Sequence, residues 1–256
     1  MVRSTPGSEL IEQARAALRA GDAASARRLL DEAASERPDD PSVAECLART
    51  AYLERDFTGA SEHWQRAYAG YRACADQAGA VRVARSLAPL YGMVFGDGAV
   101  MSGWLERAQT LLGEESDSPE AGWVALNIGM FESDRARKNE HFRRALTIAR
   151  RLGDVDLEIV SLAYLGASLV HANRTDEGMR LLDESLAAVA GAEVESFQVL
   201  EEVFCQLFSA CEHAHDVARA DQWIRIGEQI AARRQLPSVA AFCHTHYGGL
   251  LTVAGR

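Results

Sequence analysis

The residues with the most chemical potential in this 256-residue chain lie late in it: Cys205, Cys211, His213 and His215, then Cys243, His244 and His246. Thiolate and imidazole are the ligands that hold zinc in a tetrahedron. Cys211 and His215 are four apart, a spacing that places two side chains on one helix face, and Cys243 and His246 are three apart on a later segment. If those helices were neighbours, four ligands would converge. The competing reading is that the cysteines pack as small apolar side chains and the histidines sit near helix ends. Structural zinc sites carry tighter Cys-x₂₋₄-Cys spacing, and no CxxC occurs here. No metal and no cofactor are therefore expected.

Other chemistry finds no support. The chain has no GxxxxGK[ST] to cradle phosphates, no HExxH, no GxSxG elbow and no GxGxxG following a strand. Gly96-Asp97-Gly98 is glycine-rich but lacks the following lysine, so a loop between helices is expected there. Arg143, Arg144, Arg150 and Arg151 pair at a spacing of seven and stripe one helix face. Glu140, Asp154 and Asp156 lie close enough to offset it, which favours a solvated face. The expectation is that the chain is not an enzyme.

Composition bounds the class. Apolar residues make up 48% and charged residues 25%, ordinary for a globular chain, and six prolines are few enough to allow long helices. The 27 Lys+Arg against 37 Asp+Glu give a formal charge of −10, and Lys138 is the one lysine. So acidic a chain repels phosphate backbones, so direct nucleic-acid binding is not expected. Met1–Leu10 has no apolar core of a secretion signal. The longest apolar stretch, Ile159–Val170, is broken by Ser161, Gly166 and Ser168 and falls short of the roughly 20 residues a bilayer span needs. With an odd number of cysteines, five, the chain reads as a cytoplasmic protein with reduced, buried thiols and no membrane contact.

The elements that would position any site emerge from self-similarity. Ala26, Leu30 and Ala33 reappear 34 residues on as Ala60, Trp64 and Ala67. This small-x₃-large-x₂-small frame returns with decay at Leu105/Ala108, Phe142/Ala145, Leu182/Ser185 and Ala220/Ile224/Gly227. Small residues let a second helix lie close, and the large one fills the gap between them. Trp64 and Phe142 are thus expected in the core. Gly21-Asp22 and Arg55-Asp56 supply turns, with Asp capping the next helix. Pro38 and Pro41 close one unit and open the next, and Pro119 and Pro237 sit at equivalent boundaries. Pro89 does not, and a kink or break is expected near it, close to Gly92, Gly96 and Gly98.

At this point the chain resembles the tetratricopeptide repeat family, most clearly over 7–40 and 41–74 and more weakly throughout. Four later segments resemble the irregular superhelices of large bacterial LuxR/MalT-type transcription regulators. They are Gly103–Ala108, Arg151–Asp154, Glu177–Glu184 and Cys243–Gly249. The resemblance implies an all-α solenoid wound as a right-handed superhelix. It is expected to be a single domain over 1–256, with units at about 7–40, 41–74, 78–116, 118–152, 155–191 and 195–234 and a terminal helix at 237–254.

In such a repeat the first helix of each unit lines a concave groove, which the same frame would line with Glu45, Arg49, Tyr52, Trp123, Asn127, Glu212 and His213. Trp123 stays open between groove and core. The groove would take a protein or peptide partner, or a small-molecule effector. The implied function is non-catalytic: the sensor or interaction region of a LuxR-type regulator. No helix-turn-helix is visible in the chain, and the last segment reads as the first helix of a further pair, which favours a fragment of a longer protein over a complete one. The alternative is a free-standing scaffold for protein–protein interaction.

Overall fold

A computed structural model describes residues 6–113, 117–191, 193–194, 196–234, 245, 247–249 and 251–252. Among these residues the secondary structure is entirely helical. The helices are α1 (Pro6–Arg19), α2 (Ala23–Glu36), α3 (Pro41–Leu53), α4 (Phe57–Ala73), α5 (Gln77–Pro89), α6 (Gly98–Leu112), α7 (Pro119–Phe131), α8 (Arg135–Leu152), α9 (Val155–Val170), α10 (Thr175–Ala190), α11 (Phe197–Ala214) and α12 (Val217–Arg234). They form an α-solenoid of helix pairs. The expected terminal helix at 237–254 lies largely outside the described residues, as do Pro237, Cys243, His244 and His246.

The chain divides into two compact units, Met1–Ile128 and Gly129–Arg256. In the first, α1 packs on α2 and α3, α3 on α4, α4 on α5 and α5 on α6. Its core is layered accordingly. Ile11, Leu18, Leu30, Val43 and Leu47 fill the first layer, Ala48, Trp64, Tyr71, Val83 and Leu87 the second, and Val81, Ala84, Ala108 and Val124 the third. In the second unit, α8 packs on α9, α9 on α10 and α11, and α11 on α12. Each layer is closed by its neighbours, which is how a repeat array buries apolar surface.

The repeated frame performs the packing that its spacing predicts. Ala26, Leu30 and Ala33, Ala60, Trp64 and Ala67, and Leu105 and Ala108 are all buried on the second helix of their pairs, as are Phe142 and Ala145. In the later units Gly178, Leu182 and Ser185, then Ala220, Ile224 and Gly227, hold the same places. The small positions set how close two helices come. A Cβ added at Gly178 would lie 2.5 Å from the Gly166 carbonyl oxygen, so α9 and α10 meet backbone to backbone there. Ser185 uses its hydroxyl instead, donating to the Ile159 carbonyl at 3.1 Å.

Six turns share one device: a residue at positive φ followed by an aspartate. They are Gly21-Asp22, Arg55-Asp56, Ala75-Asp76, Gly96-Asp97, Gly153-Asp154 and His215-Asp216. In five of them the Asp backbone N–H returns to the carbonyl five residues earlier, at Ala17, Ala51, Tyr71, Ala149 and Cys211, ending one helix as a Schellman turn. Its carboxylate then accepts the N–H three residues on, at Ser25, Gly59, Gly79, Leu157 and Arg219, opening the next helix. At Asp97 the return bond goes to Tyr91, one residue further back, because a π-helical turn, Leu90–Phe95, follows Pro89. That turn is the break expected at this proline.

Candidate functional site

The densest polar cluster is built on α3, α5 and α7, the first helices of three successive pairs. Glu45 of α3 is only 4% exposed, and burying a carboxylate is costly unless it is paired. Arg82 of α5 meets it as a fork, Nε to Oε1 at 2.8 Å and Nη2 to Oε2 at 2.9 Å. The Tyr71 hydroxyl donates to Oε2 at 2.8 Å, and Arg49 approaches Oε1 at 3.3 Å. Burial alone would raise the Glu45 pKa. The charge of Arg49 and the hydrogen bonds and charge of Arg82 outweigh it and hold the carboxyl at about 2. On the far side of Arg82, Glu120 of α7 lies 3.8 Å away.

Arg85, one turn further along α5, is different. Its Cζ lies 4.7 Å from the centroid of the Trp123 ring, a cation–π contact. Its Nε is buried without a hydrogen-bond partner, and no carboxylate pairs with it among the described residues. Burial, then repulsion from Arg49 and Arg82, pulls its pKa down to about 10; Glu45 and Glu120 compensate only in part. Asn127 anchors the same place by donating from Nδ2 to the Arg85 carbonyl at 2.7 Å. Three arginines thus face two carboxylates, and the excess positive charge rests on Arg85. Beside Tyr71 opens a cleft of about 610 Å³, where Arg15 and Arg37 stand among Glu12, Asp39, Asp40 and Asp76.

The structure gathers Glu45, Arg49, Trp123 and Asn127 at this one place. Tyr52 goes elsewhere: its ring packs on Phe57 at 5.5 Å and Trp64 at 5.9 Å, along the core of its own pair. Glu212 and His213 lie exposed on α11 in the other unit, where the His213 ring meets His171 at 4.9 Å. Arg82, Arg85, Tyr71 and Glu120 escape the sequence reading. Arg82 and Arg85 carried a usable signal, being two arginines three apart on the otherwise small and apolar first helix of the third pair.

Two expectations about the cysteines and histidines are corrected. His215 does not share a helix face with Cys211: α11 ends at Ala214, and His215 stands at φ 54° so that Asp216 can cap α12. Nor are all the thiols buried. Cys46 and Cys211 are, but Cys74 is exposed at the end of α4. Burial pushes the Cys211 thiol up to about 12, which leaves it protonated and a poor metal ligand. Among the described residues no three Cys, His, Asp or Glu side chains are grouped to hold a metal ion. The rest of the proposed ligand set lies outside those residues. The arginine stripe of α8 is exposed as expected, with Arg150 bridging Glu158 at 2.8 Å and Glu184 at 2.9 Å. No helix among the described residues is long and apolar enough to cross a membrane.

No family model matches the sequence, and no curated protein matches it. Among solved structures, the chain is similar to the assembly chaperone of RpL4 (Acl4), residues 1–338. Identity is 16% and the TM-score 0.48, over 98% of this chain and 100% of that one. The fold assignment rests on the helices themselves.

Proposed function

We propose that this chain is a non-catalytic recognition module that binds an acidic segment of a protein partner along α3, α5 and α7. The observation that carries the reading is Arg85, a partly buried cation without a counter-ion among the described residues, stacked on an indole. An incoming carboxylate would supply the missing charge, and the Trp123 ring would meet apolar parts of the same segment. Glu45 and Arg82 are already matched to one another and serve to hold α3 and α5 in register. Fluorescence anisotropy with a short labelled glutamate-rich peptide tests this. Saturable binding that is lost when lysines replace the glutamates supports it; equal binding of both peptides refutes it.

The finer reading is that the module is the sensor region of a LuxR-type regulator, with DNA binding carried elsewhere in a longer polypeptide. It is supported by segments such as Gly103–Ala108 on α6 and Glu177–Glu184 on α10. The alternative is a free-standing scaffold. Reading the native gene beyond the codon for Arg256 decides between them: an open frame leading to a helix-turn-helix supports the regulator, and a stop codon supports the scaffold.

A further inference from the structure

In the unit Gly129–Arg256, a cavity of about 270 Å³ lies between the end of α7, the start of α8, α9 and α11. Its polar lining is Ser133, Arg135, Lys138, Tyr164, Ser168, His171 and Gln206, without a carboxylate, and Met130, Phe142 and Ala167 supply an apolar side. In a chain of net charge −10, a cavity lined by two cations and, among the described residues, no anion is a local inversion.

The adjacent acids are already engaged. Arg137 pairs with Glu132 at 3.1 Å, the Asp134 backbone N–H also donates to Glu132 at 2.9 Å, and Asp134 accepts the Arg137 backbone N–H at 2.9 Å. Arg135 and Lys138 make no ion pair among the described residues. The Gln206 amide has no hydrogen-bond partner there either, while Ser168 donates to Asn139 at 2.7 Å and so keeps its oxygen as an acceptor. Burial lowers the His171 pKa, and its Nε2 already lies 3.4 Å from the Ser209 hydroxyl.

We propose that this cavity binds a small phosphate monoester, with Arg135 and Lys138 on the phosphate and Met130, Phe142 and Ala167 against its apolar body. Two cations match a dianion better than a single carboxylate. The Gln206 amide adds a hydrogen-bonding group to the two cations. The volume admits a small molecule and is too small for a folded partner. Because the site lies wholly within the second unit, it stands independently of the acidic-peptide reading for α3, α5 and α7.

The test is calorimetric titration of the full chain at low salt with phenyl phosphate, beside phenol, benzoate and inorganic phosphate. The expected result is one saturable site for phenyl phosphate, weaker binding of inorganic phosphate and benzoate, and none of phenol. Lys138→Gln and Arg135→Gln should each weaken it by about tenfold, the loss of one charged contact. Arg144→Gln, exposed further along α8, should leave it unchanged. Helix content by circular dichroism checks that the variants fold, as expected for the exposed Arg135 and the half-buried Lys138. Absence of saturable binding, equal affinity in the Lys138 and Arg135 variants, or benzoate binding as tightly as phenyl phosphate would each overturn the proposal.

Discussion

The guanidinium of Arg85 lies over the indole of Trp123 at 4.7 Å with its Nε buried and unbonded. Stacking on an aromatic face returns about 1–2 kcal/mol, less than a partly desolvated cation loses when no counter-ion compensates it. Arg85→Met keeps the apolar stem and removes the charge, so it should stabilise the free protein by about 1 kcal/mol. Urea unfolding measures this. A loss of stability would mean that the charge is compensated in the free state.

Glu45 should respond in the opposite sense. Glu45→Gln leaves Arg82 without its carboxylate in a partly buried place, a change expected to cost about 3 kcal/mol.

The pH dependence follows from the same carboxyl. Its folded pKa, about 2, lies below its ordinary value near 4.5, so its contribution is fully present above pH 4.5 and is lost as pH falls toward 2. The integrated effect is on the order of 3 kcal/mol. Urea midpoints of wild type and Glu45→Gln, measured from about pH 6, above the linkage interval, down to about pH 3, within it, should converge on acidification. Parallel curves would contradict the assignment.

Substitutions at the shared turns separate backbone strain from capping. Ala75 stands at φ 58°, which costs an L-residue about 1 kcal/mol that glycine does not incur, so Ala75→Gly should stabilise by up to that amount. Asp76→Ala removes the bond to the Gly79 N–H and should cost about 1 kcal/mol. Thermal melts of the two variants should move in opposite directions.

Where backbones touch, tolerance should vanish. Gly178→Ala would push a methyl group to 2.5 Å from the Gly166 carbonyl oxygen, and neither backbone can swing aside as a flexible side chain could. A loss of about 2–3 kcal/mol is expected. Gly103→Ala, with open space around its Cβ on a helix of the first unit, should be neutral or slightly stabilising in the same assay.

Legibility followed the physics of each feature. Ala26, Leu30 and Ala33 announce helix pairing because close packing permits few residue types at those positions. Pro89 announced a break because a ring without an N–H cannot sustain the α-helical ladder. The turn at Gly21-Asp22 was readable, and so was Arg55-Asp56, 34 residues on, but the copies at Ala75-Asp76 and His215-Asp216 were hidden, having neither a glycine nor that spacing to mark them. His215 was accordingly assigned to a helix face that ends before it. Around the candidate site, Glu45, Arg49, Trp123 and Asn127 followed from counting along first helices. Arg82 and Arg85 required knowing how the stretched third unit, with its π-helical turn, aligns α5 with α3. Tyr52, half-buried on the same helix as Glu45, also packs its ring on Phe57 and Trp64 beside the core of its own pair.

The measurement that bears most directly on the central claim is titration of the same glutamate-rich peptide into wild type, Arg85→Gln and Arg49→Gln. Arg85 is the uncompensated cation and Arg49 is partly committed to Glu45. Affinity should therefore fall about tenfold in Arg85→Gln and less in Arg49→Gln, with the salt dependence flattened in both. Unchanged affinity and salt dependence in Arg85→Gln would contradict the assignment of this face as the acidic-partner site.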